Sequence, residues 1–338
     1  MPLFGFFSND IAIDLGTANT LIYMKGRGIV LNEPSIVTYD VNSRKITAIG
    51  EDAKKMMGRV HRELMTVRPM RDGVIADYEM ADGMLKEFIK KVTKNFMPAR
   101  RIVLCVPSGI TDVEKRAVRD TAEHVGAREV YLISEPMAAA IGIGLDVAGP
   151  YGNMIVDVGG GTTEIAVIAL SGITNGVSIR IAGDELTDAI VRFFRANQNM
   201  LIGERTSEEI KCQVGSAMPL KEEVIIEVRG RDLVAGVPKV TEVSSIEIRE
   251  ALNPPVTQMV EAVKVALEKT APELSSDILD RGIFLTGGGA LLKGLDERVK
   301  IETGVPVHVA DDPLTAVAKG TGKVLENLDA YRKVMLKR

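Results

Sequence analysis

The chain uses one unusual pattern twice. Ile11-Ala-Ile-Asp14-Leu-Gly-Thr-Ala-Asn-Thr20 runs on into Leu21-Ile-Tyr. About 140 residues further along, Met154-Ile-Val-Asp157-Val-Gly-Gly-Gly-Thr-Thr163 runs on into Glu164-Ile-Ala-Val-Ile168. Each copy is an apolar strand ending in Asp, a turn of Gly and Thr, and a second strand. A unit repeated at that distance implies two similar lobes facing each other. Their boundary is expected near residues 141–153, around Gly149-Pro-Tyr-Gly152.

Between and after the copies, strand-like and helix-like runs alternate, as in an α/β protein. From Asp72 to Met97, residues Met80, Met84, Leu85, Phe88, Ile89 and Val92 recur at helical spacing and form a core-facing stripe. Ile102–Val106 and Glu129–Ile133 read as buried strands. Thr111-Asp-Val-Glu114 is a capping box that opens an amphipathic helix. Ser134 is expected to cap a helix starting Glu135-Pro136, with Pro suited to the first turn. Thr206-Ser-Glu-Glu209 reads as another capping box, Gly230-Arg-Asp232 as a turn within the strand-rich 223–243 stretch, and Leu314 as the start of a last helix.

The repeated turns are where chemistry concentrates. A tight hairpin of backbone N–H groups and the Thr17 and Thr20 hydroxyls makes a concavity that binds an anion without a lysine. Gly159, Gly160 and Gly161 allow backbone to approach phosphate oxygens closely. Asp14 and Asp157 end the two strands in matching positions. Either could hold Mg²⁺ through its water shell, because that ion dehydrates reluctantly. Taken alone, the first turn suits an ordinary hairpin; the pair suits a clamp on one phosphate chain. Neither turn is a Gly-x-x-x-x-Gly-Lys-Ser/Thr loop or a Gly-x-Gly-x-x-Gly fingerprint. A third glycine turn, Gly287-Gly-Gly-Ala290, ends a strand and opens a helix, and suits either a flat ligand or close packing. Glu208 and Lys211 stand three apart and suit either ribose recognition or a solvent-facing ion pair.

Composition excludes several classes. Lys+Arg 42 against Asp+Glu 46 gives a net charge of −4, which offers no global case for nucleic-acid binding. Cys105 and Cys212 lie in unrelated contexts, which excludes a disulfide scaffold and a thiolate zinc site. Only 4% of residues are aromatic, and Trp is absent, so an aromatic stacking platform is not expected. No apolar run approaches the ~20 residues of a membrane-spanning helix. Phe4, Phe6 and Phe7 crowd the N-terminus, which lacks the features of a signal peptide. They suit a segment tucked on the core or an apolar toe at a membrane interface.

With these motifs in order, the chain resembles the MreB family of bacterial actins, in the superfamily that joins actin, the Hsp70 ATPase domain and sugar kinases. The resemblance runs through Asp14–Leu21, Asn32–Ile36, Arg68–Asp77, Cys105–Gly109, Glu135–Ile141, Asp157–Glu164, Leu285–Leu292 and Ala310–Leu314, nearly the whole chain. The extreme N-terminus matches least. It implies an actin-like bilobed α/β fold of two ribonuclease-H-like domains, each with a small subdomain. The parts expected are 1–32 with 74–145 and 313–338, then 33–73, then 146–181 with 247–312, and 182–246.

By the same resemblance, ATP and Mg²⁺ occupy the interlobe cleft. Thr17, Ala18 and Asn19 contact phosphates from one lobe, and Gly159, Gly160 and Gly161 from the other. Glu208, Glu209, Ile210 and Lys211 bracket ribose and base, with Gly287, Gly288, Gly289 and Ala290 beneath the adenine. Asp14 and Asp157 orient Mg²⁺-bound waters. Glu135 polarises the attacking water, assisted by Thr162. The implied function is slow ATP hydrolysis in paired filaments on the inner face of the cytoplasmic membrane, where they organise cell-wall synthesis and rod shape. Lipid contact is expected from Phe4, Phe6 and Phe7 or from Phe96 and Met97. The implied partners are further copies of the chain, that membrane face and the wall-elongation machinery. Two soluble alternatives share the fold: a small-molecule kinase, for which no sugar site is evident, and a chaperone ATPase, for which no peptide-binding region follows.

Overall fold

A computed structural model describes residues 10–93 and 101–336 of the chain. The first half comprises β1 (Ile11–Leu15), β2 (Asn19–Met24), β3 (Gly28–Pro34), β4 (Val37–Asp40), β5 (Ile46–Ile49), α1 (Gly50–Met56), β6 (Leu64–Val67), β7 (Met70–Arg71) and β8 (Val74–Ile75). It continues with α2 (Tyr78–Val92), β9 (Arg101–Val106), α3 (Asp112–His124), β10 (Glu129–Ser134) and α4 (Glu135–Gly142). The second half begins with β11 (Asn153–Val158), β12 (Thr163–Ala169), β13 (Gly172–Ile179), α5 (Gly183–Asn197), β14 (Met200–Leu201), α6 (Glu204–Val214), β15 (Ile225–Asp232) and β16 (Pro238–Ser244). It ends with α7 (Ser245–Glu268), α8 (Pro272–Arg281), β17 (Ile283–Thr286), α9 (Leu295–Thr303), β18 (Val307–Val309) and α10 (Ala316–Glu326).

The repeat seen in the sequence is a repeat of topology. One five-stranded sheet has the order β10-β9-β1-β2-β3 and the other β18-β17-β11-β12-β13. In both, the Asp-bearing strand is antiparallel to the strand after its turn and parallel to a later strand on its other side. Two three-stranded sheets, β5-β4-β6 and β14-β15-β16, accompany them. The fold is the expected actin-like α/β one.

Continuous apolar runs become central strands: from Ile102 to Val106, β9 is buried along its length. The α2 stripe buries Met80, Met84, Leu85 and Phe88 against the first sheet, each contributing about 1.5–3 kcal/mol. A separate apolar core lies between the lobes. It gathers Ala12 and Val103 from one sheet, Ile155 and Ala166 from the other, Ala138 to Ile141 of α4, and Val317 and Val324 of α10. Helices α4 and α10 cross where both lack side chains. A β-carbon on Gly320 would lie 1.7 Å from the Ala138 carbonyl oxygen, and one on Gly142 would lie 1.9 Å from that of Ala316.

Several local expectations are corrected. Thr111 and Glu114 do form a capping box, but the Ser134 hydroxyl caps nothing. Helix α6 starts at Glu204 behind Gly203, so Thr206 and Glu209 lie inside it. Strand β15 runs through Gly230–Asp232, and the turn comes after it, held by the Asp232 carboxylate accepting from the N–H groups of Val234 and Ala235. Helix α2 begins only at Tyr78. Before it, Asp72 and Gly73 turn the β7–β8 hairpin with φ of 51° and 75°. Leu314 lies in a single 3₁₀ turn, and the last helix starts at Ala316. No helix among the described residues is long and apolar enough to cross a membrane.

Candidate functional site

The two repeated turns face one another at the floor of a cleft of about 850 Å³, which lies between the lobes. The first turn is held from below by Ser35, whose hydroxyl donates to the Gly16 carbonyl at 2.7 Å and whose N–H donates to that of Ala18 at 2.9 Å. The second is closed by Gly159 N–H donating to Thr162 O at 2.9 Å. Its carbonyls at Gly159 and Gly160 accept from Gly183 and Asp184, at the start of α5. The turns come so near that a β-carbon on Gly160 would lie 2.8 Å from that of Ala18, and one on Gly161 would lie 2.8 Å from Thr17 Oγ1. Glycine is therefore required by space at both positions. Among the described residues, the N–H groups of Thr17, Ala18, Gly160 and Gly161 have no acceptor. Free N–H groups on two closely facing turns make an anion site.

The carboxyls stand beside these turns. Asp14 lies recessed at the end of β1. Burial pushes its pKa up to about 6, with the Cys105 thiol, donating at 3.2 Å, acting the other way. Burial likewise pushes Asp157 up to about 7, against the Thr286 hydroxyl that donates to it at 2.8 Å. Glu135, the first residue of α4, is held well above the usual carboxylate range, first by burial and then by the neighbouring Glu164, Asp14 and Asp157. No lysine or arginine among the described residues offsets the three. Nor, among the described residues, does any group of three or more His, Cys, Asp or Glu side chains form a direct metal cage. Two carboxyls starved of positive charge, without a full ligand set, suit a dication that keeps most of its waters. The residues fit Mg²⁺ in that form.

The α6 residues divide. Lys211 donates to Gly183 O at 2.9 Å and to Thr187 Oγ1 at 3.0 Å, and it pairs with Glu208 at 2.5 Å. Burial raises the Glu208 pKa, but Lys211 and the Thr187 hydroxyl outweigh it and bring it below the ordinary value. Glu208, Glu209 and Lys211 line the cleft, whereas Ile210 is buried in the second lobe's core. The third glycine turn also divides. Gly287, Gly288 and Gly289 line the cleft, while Ala290 packs inward. The turn is closely packed, because β-carbons on Gly287 and Gly289 would strike Val158 at 2.3 and 2.2 Å.

Asp14, Thr17, Ala18, Asn19, Glu135, Asp157, Gly159, Gly160, Gly161 and Thr162 all meet in the cleft. Phe4, Phe6, Phe7, Phe96 and Met97 lie outside the described residues. Sequence reasoning missed Arg68, Asp184 and Glu204 at the rim and Glu164 beneath the floor. Arg68 lies in the Arg68–Asp77 stretch that carries the resemblance, but only its pairing with Glu204 of the other lobe shows its place.

Comparison with known proteins matches residues 8–333 to the MreB/Mbl protein family. The chain is 55% identical to the cell shape-determining protein MreB of Escherichia coli (strain K12), covering 97% of this chain and 96% of that one. It is 49% identical to the cell shape-determining protein Mbl of Bacillus subtilis (strain 168), over 97% and 98%. Among solved structures, MreB5 of Spiroplasma citri bound to ADP superposes with a TM-score of 0.90 at 37% identity, covering 96% of each chain. The same protein bound to AMPPNP gives 0.90 at 36%, over 96% of this chain and 97% of that one. With its paired turns, twin sheets and interlobe cleft, this chain belongs to the MreB/Mbl family.

Proposed function

We propose that this chain binds ATP with Mg²⁺ between its lobes, hydrolyses it slowly, and polymerises into membrane-associated filaments that maintain cell shape by organising wall synthesis. The observation that carries the nucleotide reading is the close approach, in one cleft, of two turns from different lobes, each with two N–H groups that have no acceptor among the described residues. The ADP and AMPPNP bound to MreB5 support it, and the names of the cell shape-determining relatives support the cell-shape part. The MamK double helical filament, at 21% identity and TM-score 0.80 over 94% of this chain and 99% of that one, shares the fold.

In this reading Thr17, Ala18 and Asn19 hold the phosphates from one side and Gly159, Gly160 and Gly161 from the other. Glu208, Glu209 and Lys211 face the ribose and base, with Gly287, Gly288 and Gly289 beneath the adenine. Asp14 and Asp157 would hold Mg²⁺ through water, supplying positive charge against the phosphate oxygens. Glu135 orients one water for attack, with Thr162 beside it. Phosphoryl transfer to water demands positioning more than covalent help, so a single carboxyl suffices for slow turnover. The membership of the sheets supports the four-part division given above. Self-association, the inner membrane face and the wall-elongation machinery are the proposed partners.

Calorimetry with ATP and Mg²⁺ tests the core of the reading, with Gly161→Val expected to abolish binding; a folded wild type that takes up no adenine nucleotide refutes it. Phosphate release unaltered by a panel of sugars separates it from a kinase. Pelleting with ATP and liposomes, lost when residues 2–7 are removed together with Phe96→Ser and Met97→Ser, tests the membrane part.

A further inference from the structure

The duplication of the two lobes breaks at one informative position. In the first lobe Asp14 is paired across the hairpin with Leu21, and in the second the equivalent Asp157 is paired with Glu164. A leucine is what a buried strand position ordinarily takes. Glu164 instead places an ionisable group where its exposure is 0%. Such a group is retained only where its oxygens are satisfied, since burying it unpaired costs several kcal/mol, on the order of a whole domain's spare stability.

Its two oxygens are satisfied from different lobes. Oε2 accepts the Ser108 N–H at 2.9 Å, from the loop that follows β9 in the first lobe. Oε1 accepts the Ser178 hydroxyl at 2.5 Å, from the directly opposed residue of β13 in the second lobe. The same loop touches β13 again, since a β-carbon on Gly109 would sit 3.4 Å from Ser178 Cβ. Glu164 is thus the polar centre of a seam between the lobes.

The seam lies next to the reacting groups. Val106, just before the loop, is registered with Ser134, just before Glu135. Pro107 packs against Gly73, where a β-carbon would come within 2.8 Å of the Pro107 ring and 3.0 Å of Thr162 Cγ2. The loop held by Glu164 therefore abuts both the strand end that presents Glu135 and the turn that presses on Thr162. Glu135 belongs to the first lobe and Thr162 to the second, so their relative placement depends on what ties the lobes together here.

We propose that Glu164 is a positioning residue for hydrolysis: by pinning the Pro107–Ile110 loop to β13, it sets Glu135 and Thr162 in register across the cleft. The inference rests on the proposed ATPase reading. A misplacement of about 1 Å in such a pair costs on the order of a hundredfold in rate while leaving substrate binding largely intact.

The test compares nucleotide affinity, turnover at saturating ATP and pelleted fraction in the same samples of full-length wild type, Glu164→Leu, Glu164→Gln and Ser178→Ala. Leu copies the first lobe and removes both acceptors. Gln keeps an acceptor for Ser108 and a donor that Ser178 can accept, so it should preserve the pin. Turnover should fall about tenfold or more in Glu164→Leu, with affinity and pelleted fraction held within about threefold, and should stay within about threefold of wild type in Glu164→Gln. Turnover of Glu164→Leu equal to wild type overturns the inference, as does a loss that merely tracks the pelleted fraction, or a Gln variant as slow as the Leu one. If Glu164→Leu gives no cooperative melt, Ser178→Ala decides: a loss of about fivefold or more at unchanged affinity supports the pin, and turnover within about threefold of wild type overturns it. A wild type that never hydrolyses ATP overturns the proposed function and this inference with it, whereas a hydrolysing wild type indifferent to these changes overturns the inference alone.

Discussion

Arg68 and Glu204 are joined across the mouth of the cleft. Nε and Nη2 of the guanidinium both donate to Glu204 Oε1, at 2.9 and 2.7 Å. The pair links the segment before β7 to the first turn of α6, in the other lobe, and both residues line the opening. With side chains 26% and 45% exposed, it is worth about 1 kcal/mol or less and is screened by salt. Arg68→Ala or Glu204→Ala should speed release of a fluorescent adenine nucleotide by about 2- to 5-fold. Raising ionic strength should speed release from wild type but hardly affect either variant. Stopped-flow chase experiments at two salt concentrations check both.

Glu135→Ala should bind ATP as wild type does yet lose about 10²–10⁴-fold in phosphate release, the usual contribution of a positioned acid or base. Single-turnover phosphate release beside equilibrium binding separates the two effects. Unchanged release would remove Glu135 from the mechanism.

The raised carboxyls make the ligand-free protein sensitive to pH in a definite direction. Asp157 titrates at about 7 in the fold against 3.8 for an ordinary Asp, and Asp14 at about 6. The folded state therefore keeps protons that the unfolded chain gives up, and stability falls as pH rises from about 4 to about 7, by up to about 1.4 kcal/mol per unit for each group. Thermal melts without nucleotide should be higher at pH 5 than at pH 7.5. Asp157→Asn, which still accepts from Thr286, should flatten that dependence and stabilise the protein at pH 7.5. Equal melting at both pH values in wild type would contradict the assignment.

The α4–α10 crossing tolerates no added atom. Gly320→Ala should cost about 1–3 kcal/mol or more, because the helices must part to admit the methyl group. Urea unfolding measures the loss, and a neutral result would mean the two helices separate there without penalty.

Much of this architecture was legible because it is local or repeated. The Asp14 and Asp157 hairpins, the α2 stripe and the Thr111–Glu114 box each declare themselves within about ten residues. What stayed hidden depends on distant pairing. Gly203 outcompetes Thr206 as the start of α6 although glycine has no side chain to cap with, because Ser207 is buried and its hydroxyl donates to Thr187 O. Asp72 and Gly73 belong to no helix because their left-handed turn fits against Thr17 and Pro107, residues far away in sequence. Glu164 read as part of an apolar strand, and only Ser108 reveals its use. Ile210 and Ala290 turn into the core while their motif neighbours line the cleft, a distinction that depends on the angle at which each element meets the core.

The short run from Arg68 to Gly73 touches the rim of the cleft at one end and its floor at the other, where the Gly73 N–H donates to Thr17 Oγ1 at 3.1 Å. Six consecutive residues cannot stretch to accommodate independent motions at both ends. Widening of the entrance and slackening of the Thr17 turn thus become a single mechanical event.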